Sequence, residues 1–310
     1  MTALSLTIPS PAQQSNASLK HDRTPTANYT MKWRQKQLFL KSASETERVC
    51  VPRPENLQWL VSRLERSPVQ RVSLTPDLAQ PDLELWANAC AEVSKTAYLQ
   101  LPNTPELPRK QNKLFWWLKR IVDWFFAVLL LLILSPLMLA LSLVIRSQSP
   151  GPILFSQWRV GERGKLFRIL KFRTMFVGAE HLHHQIMGDQ SGLHKCEDDP
   201  RITPVGRWMR KFSLDELPQL LNVFRGEMSL VGPRPWALYD AVRIHPSMRH
   251  RMNALPGITG IWQVTTRSHL RDIDAVNRVD LGYLRQWSLI QDLKILLMTV
   301  PKVLTGYGAY

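Results

Sequence analysis

SLDELPQLLNVFRGEMSLVGPRP, residues 213–235, is the stretch whose reading decides this chain. Two adjacent carboxylates, Asp215 and Glu216, precede an apolar run at helical spacing, and the stretch ends in Gly232-Pro233-Arg234-Pro235. Ser213 to Glu216 fits S-x-x-E, a capping box, which predicts a helix over residues 214–224 with Asp215 at its second position. Carboxylates there meet the positive helix end and stay ionised, and the same free amides can receive a phosphate. Pro218 is expected where a missing N–H costs little. Taken alone, an acidic first turn merely complements the dipole. The arginines change the weighing. Arg210 lies on an expected helix over residues 204–212 that aims at the same point, and Arg234 is held between two prolines. Guanidinium forks match phosphate oxygens. A carboxylate beside them can attack phosphorus, while the second holds Mg²⁺ or takes a proton.

Working outward, the next feature upstream is Trp124–Ile145, an uncharged apolar run interrupted by Ser135-Pro136. About 20 apolar residues cross a bilayer, so one reading is a kinked transmembrane helix. The other is a re-entrant hairpin, because Lys119 and Arg120 precede the run, Arg146 and Arg159 follow it, and positive charge prefers the cytoplasmic side. Pro136 leaves a carbonyl unbonded, which the Ser135 hydroxyl can satisfy. Trp116, Trp117 and Trp124 stand at the start as interfacial aromatics do. Beyond Pro150-Gly151, the alternation around GERG, residues 161–164, predicts a β-hairpin, followed by a helix over residues 176–187. His181, His183 and His184 on that helix read as a solvated face, since no Glu or Cys completes a metal set. Residues 272–286 and 288–304 read as amphipathic helices, the last lying in the membrane interface or packing on the core.

The 310 residues allow about two domains, and a net charge of +15 calls for an anionic partner. Three scattered cysteines, Cys50, Cys90 and Cys196, read as reduced and structural. No signal-peptide pattern is read at the start, and residues 1–47 are expected to be a disordered tail. Residues 48–101 alternate strands (48–51, 69–74, 97–101) with helices (55–66, 82–95), implying a small parallel sheet without a phosphate-binding glycine loop. Residues 102–112 form a proline-rich linker, 113–150 the membrane hairpin and 151–310 the catalytic domain. The fold class is thus an α/β N-terminal module plus an α+β membrane-associated catalytic domain with interfacial helices.

KFRTM (171–175), SLDELPQLLNV (213–223), GEMSLVGPRP (226–235), PGITGIWQV (256–264) and WSLIQDLKILLMT (287–299) closely resemble, in order, the blocks of the bacterial sugar transferase family, the monotopic phosphoglycosyl transferases. The resemblance covers about residues 113–310 and favours the re-entrant hairpin, broken at Ser135 and Pro136. It implies transfer of a sugar 1-phosphate from a UDP-sugar to polyprenyl phosphate with release of UMP, on the cytoplasmic face of a bacterial inner membrane. Asp215 becomes the nucleophile and Glu216 its partner toward Mg²⁺. Arg210, Arg234 and Arg267 become substrate-binding, with Lys171 and Arg173 as further contributors. Thr265-Thr266-Arg267 departs from the family's usual glycine before that arginine. A hexose, a polysaccharide pathway, downstream glycosyltransferases, a homodimer and a cyanobacterial exopolysaccharide relative are the narrower expectations. The rivals are a basic scaffold for anionic lipid or nucleic acid, and an inactive member serving as an assembly platform. The scattered basic residues form no nucleic-acid reader motif, so no nucleic acid is expected.

Overall fold

The computed structural model describes residues 28–43, 51–52, 54, 56–102, 113–179, 199–265 and 272–306. The expected proline-rich linker lies mostly outside them, as do His181, His183, His184 and Arg267.

The N-terminal module begins earlier than the sequence indicates. β1 (Asn28–Arg34) and β2 (Gln37–Ser42) form a hairpin inside the expected tail, with φ of 46° at Gln35 and 61° at Lys36. Left-handed residues at both loop positions match the twist that a two-residue hairpin turn needs. β3 (Val51–Pro52), α1 (Leu57–Glu65), β4 (Arg71–Leu74), α2 (Gln80–Glu92) and β5 (Thr96–Leu99) follow. The sheet order is β3-β1-β2-β4-β5. β2, β4 and β5 are parallel, but β1 is antiparallel to both β2 and β3. The expected all-parallel sheet is therefore mixed. The strand near residue 50 is an antiparallel edge, and β2 supplies the first parallel strand.

Lys113–Gln148 form one 36-residue helix, α3. The helix continues through Ser135-Pro136, where a break was expected, and the expected hydroxyl bond is present. Pro136 cannot bond the Leu132 carbonyl four residues back, and Ser135 Oγ donates to that oxygen at 2.8 Å. Only 11% of its most apolar window is buried, unlike the core helix of a soluble protein. Its two halves nevertheless rest on the globular body. Ala127 joins a core with Phe167, Ile169 and Val223, and Leu141 and Ile145 join another with Phe172 and Met209.

The start of α3 is fixed by a buried polar lock. Lys119 Nζ donates to the Val231 carbonyl (3.1 Å) and Asp292 (2.6 Å), and Asp123 accepts from Ser229 Oγ (2.7 Å) and the Leu230 amide (3.1 Å). Tyr283 and Trp287 also donate to Asp292, at 2.6 and 3.2 Å. This accounts for the aspartate in WSLIQDL.

β6 (Leu154–Val160) and β7 (Leu166–Phe172) form the expected hairpin around GERG. The described start of the expected helix over 176–187 is instead a turn. α4 spans Pro204–Lys211, and α5 is Gln219–Phe224. β8 (Ser229–Val231) pairs in parallel with β9 (Gly257–Thr259). A Cβ on Gly257 would lie 2.1 Å from the Gly232 nitrogen, so the VGPRP and PGITG blocks meet backbone to backbone. α6 (Leu238–Ala241), α7 (Ile261–Thr265), α8 (Ile273–Arg285) and α9 (Leu289–Thr305) complete the chain. Asp272 and Ser288 cap α8 and α9, where the expected helices begin.

Candidate active site

The capping box does not form. Ser213 adopts φ 54°, ψ 22° without a side-chain cap bond, and Leu214–Glu216 make a single 3₁₀ turn. Pro218 is the reason. In a helix starting at Leu214, its missing N–H would leave the Leu214 carbonyl unbonded. The Leu217 amide takes that carbonyl at 3.3 Å instead, and α5 starts afresh at Gln219. Asp215 and Glu216 therefore owe nothing to a helix dipole; their setting is made by side chains.

Both carboxylates are buried, at 7% and 8% exposure. Lys171 Nζ lies 2.6 Å from Glu216 Oε1 and 3.7 Å from Asp215 Oδ2. Arg234 Nη1 reaches the same Glu216 oxygen at 3.5 Å. Strand pairing aims Lys171. It sits opposite Phe155 on the hairpin face that carries Gln157 and Arg159, while Phe172 and Leu154 occupy the other face. Asn222, fully buried on α5, accepts from the Leu170 amide (3.0 Å) and donates to the Arg168 carbonyl (2.9 Å). That side chain fastens the strand bearing Lys171 to the helix behind the carboxylates.

Arg210 comes from α4, with Nε donating to Thr174 Oγ1 at 2.8 Å, and it faces Asp215 electrostatically. The Arg234 carbonyl accepts from Arg251 at 2.8 Å, and Arg251 pairs with buried Asp280 and lies over the Trp236 ring. The expected rigidity of the PRP loop thus has a partner on α8. Burial pulls the Lys171 ammonium below its ordinary value, and the attraction of Glu216 and Asp215 only partly opposes this. Arg210 is lowered by burial too, against the pull of Asp215.

Arg173 is not in this cluster. Its guanidinium donates to the Pro150 carbonyl (2.9 Å) and to the Ser149 carbonyl and hydroxyl (2.8 Å each), so it ties the end of α3 to the hairpin. Arg159, read from sequence only as a flanking charge, belongs to the site. Its Nη2 donates to Gln157 Oε1 at 2.7 Å and its Nη1 to the Pro235 carbonyl at 3.2 Å. Its Nε is buried without a partner among the described residues, and it interacts with Tyr239, Arg234 and Glu216. The register of β6 with β7 puts it on the same hairpin face as Lys171, four residue pairs away along the strands.

No three His, Cys, Asp or Glu side chains group together among the described residues. A hard divalent ion fits here only in the manner typical of Mg²⁺, with one or two carboxylates and the rest of its ligands from substrate phosphates and water. Asp215 and Glu216 are the residues that would hold it. Cations surrounding a buried carboxylate pair make a cradle that can hold a polyanion against a carboxylate able to act as a nucleophile.

The model of the family described as "Bacterial sugar transferase" matches residues 114–306. The chain is 42% identical over 194 residues to "Galactosyl transferase CpsE" of Streptococcus agalactiae, covering 62% of this chain and 43% of that protein. It is 44% identical over 200 residues to "UDP-glucose:undecaprenyl-phosphate glucose-1-phosphate transferase" of Caulobacter vibrioides, covering 62% and 72%. A protein of the same name from Xanthomonas campestris is 36% identical over 290 residues, covering 88% of this chain and 56% of its own. That likeness extends into the segment before α3, whereas the chain spans about half the length of the streptococcal and Xanthomonas proteins. From residue 114 onward, the blocks around Asp215 and Glu216 have their counterpart in one family: the chain belongs to the bacterial sugar transferases.

Proposed function

We propose that this chain transfers a hexose 1-phosphate from a UDP-sugar to polyprenyl phosphate at a membrane surface, starting the assembly of an exopolysaccharide. The observation that carries this reading is a pair of adjacent buried carboxylates set among Lys171, Arg210 and Arg234. Glu216 is gripped by Lys171 at 2.6 Å and Arg234 at 3.5 Å, while Lys171 stands 3.7 Å from Asp215. Asp215, the carboxylate that both Lys171 and Arg210 face, is the nucleophile. Its carboxylate oxygen attacks the phosphorus nearest the sugar, an acyl-phosphate bond forms, and the bond to UMP breaks. An oxygen of polyprenyl phosphate then attacks the same phosphorus, the diphosphate bond forms, and Asp215 is released as a carboxylate. Lys171, Arg210, Arg234 and Arg159 offset the charge of the diphosphate without reorganising. Mg²⁺ held by Asp215 and Glu216 would supply further positive charge against the phosphates. Arg267 is proposed as a further basic contributor on sequence alone.

The shape of α3 supports a monotopic placement. Lys119 near its start and Ile145 near its end are both buried against the globular body, while Leu132 and Ile133 between them are 69% and 62% exposed. Leu130, Leu131, Leu134 and Met138 pack on that body too, while Leu114, Trp117, Leu139 and Leu143 are as exposed as Leu132, so one face of the helix lies along the body and the apolar other face is free to rest in lipid beside it.

Asp215→Asn tests the covalent step. The unaltered protein incubated with UDP-sugar alone should gain the mass of a sugar phosphate on the Asp215 peptide and release one equivalent of UMP. The variant should do neither. UMP release by Asp215→Asn at the unaltered rate would remove the covalent role. If the unaltered chain releases no UMP with any UDP-hexose, the assembly-platform reading takes its place.

A further inference from the structure

The polar cradle leaves one apolar feature beside it unused. A groove of about 560 Å³ runs between Met138, Leu139 and Ser142 of α3 and Phe172, Pro218 and Leu221. Ser142, its one polar side chain, donates to the Met138 carbonyl at 2.7 Å, so the groove asks its occupant for no hydrogen bond. At roughly 30 Å³ per water-sized group, this space holds on the order of twenty non-hydrogen atoms. Its volume also lies within the usual range for ligand pockets.

Position identifies the occupant. Along α3 the groove continues into the apolar face, where Leu139 is 64% and Leu143 65% exposed. At its inner end stand Phe172, the neighbour of Lys171, and Pro218, three residues past Asp215. The end of β7 thus turns Lys171 toward the carboxylates on one face and Phe172 toward the groove on the other. A molecule with an anionic head and a long hydrocarbon tail, arriving from the bilayer, meets both faces of one strand end. We propose that this groove binds the isoprenoid chain of the acceptor lipid next to its phosphate, and so selects acceptors by tail. The assignment rests on the transferase reading above.

The experiment separates the two half-reactions. Leu139→Trp and Leu221→Trp fill the groove from opposite walls without touching the cradle. Each full-length variant in detergent is given UDP-sugar alone, then a long-chain polyprenyl phosphate or the short, soluble dimethylallyl phosphate. Formation of the phosphosugar–enzyme at the unaltered rate shows that a variant is folded. The expected result is a loss of about tenfold or more in kcat/KM for the long acceptor, the scale of about two unburied methylenes, with a clearly smaller loss for the short acceptor, whose single isoprene fills only the phosphate end of the groove. If both variants keep the full preference for the long acceptor, the groove assignment falls while the donor half-reaction stands. If the unaltered chain forms no phosphosugar–enzyme, both readings fall. A diazirine-bearing polyprenyl phosphate checks the assignment without substitution. Adducts within residues 138–142 or at Leu221 support it, and adducts confined to Leu132 and Ile133 on the outer face of α3 overturn it.

Discussion

Replacing Asp292 should unseat the membrane helix from its domain. Asp292 accepts from Lys119 (2.6 Å), Tyr283 (2.6 Å) and Trp287 (3.2 Å), and the ion-pair side chains are 5% and 8% exposed. In Asp292→Leu the Lys119 ammonium keeps the Val231 carbonyl and Asp123, 3.7 Å away, but loses its nearer counter-ion in a dry site. Breaking a buried pair from one side costs about 3–5 kcal/mol. At roughly 2–4 °C per kcal/mol for a domain of this size, the unfolding midpoint should drop by about 6–20 °C. Lys119→Met placed on top removes the stranded charge and should restore part of the loss. The Tyr283 hydroxyl and Trp287 indole stay unsatisfied, so a deficit of about 1–3 kcal/mol remains. The assay is a double-mutant cycle on detergent-solubilised protein, followed by tryptophan fluorescence during heating. A single-variant loss below about 1 kcal/mol, or strict additivity of the two substitutions, would refute the lock.

Other outcomes follow from the same geometry. Because burial lowers Lys171 below its ordinary 10.5, the unfolded chain holds that proton to higher pH than the folded one. Stability contributed by this residue therefore rises with pH between the folded value and 10.5, while activity needing the ammonium falls through the same window. Lys171→Arg should remove that alkaline loss in a pH–rate profile, and an unchanged alkaline limb would contradict the assignment. Asn222→Leu strands the Leu170 amide and Arg168 carbonyl, at a cost of about 2–5 kcal/mol, and should lower kcat more than it raises KM for the donor. A variant unfolding at the unaltered denaturant concentration would count against this. Burial pushes the Cys90 thiol up to about 12, so it should resist alkylation at neutral pH until the chain is denatured; peptide mapping reads this directly.

The hairpin around GERG, the last two helices and the convergence of Arg210, Arg234 and Lys171 on the carboxylates were legible in sequence. Periodicity, caps and family blocks are local or ordered along the chain. The setting of Asp215 departs from the S-x-x-E expectation because Pro218 falls too late for its missing N–H to be free of cost, and the lost hydrogen bond cuts the helix in two. The surroundings of Arg173 and Arg159 were not legible for another reason. Both lie on or beside the same hairpin, and only the register of β6 with β7 and the path of α3 decide which guanidinium faces Glu216. The mixed sheet of the first module escaped because β1 and β2 lie in a segment rich in polar residues, where alternation is weak.

The contact between that module and the rest has a practical corollary. Asn88 accepts from the Trp158 indole (2.8 Å) and from Arg168 (2.9 Å), and the Pro102 carbonyl accepts from Asn253 (2.8 Å). The Leu99 carbonyl lies 2.1 Å from where a Cβ on Gly164 would stand. Leu83, Trp86 and Leu99 share one apolar cluster with Val160, Trp236 and Ile244. The described part of this module, from residue 28 to residue 102, is therefore a buttress and not a cargo. Trimming an expression clone back to Lys113 would bare a greasy wall beneath the very strands that aim Lys171, so anyone hoping for a minimal catalyst should keep the front of the polypeptide.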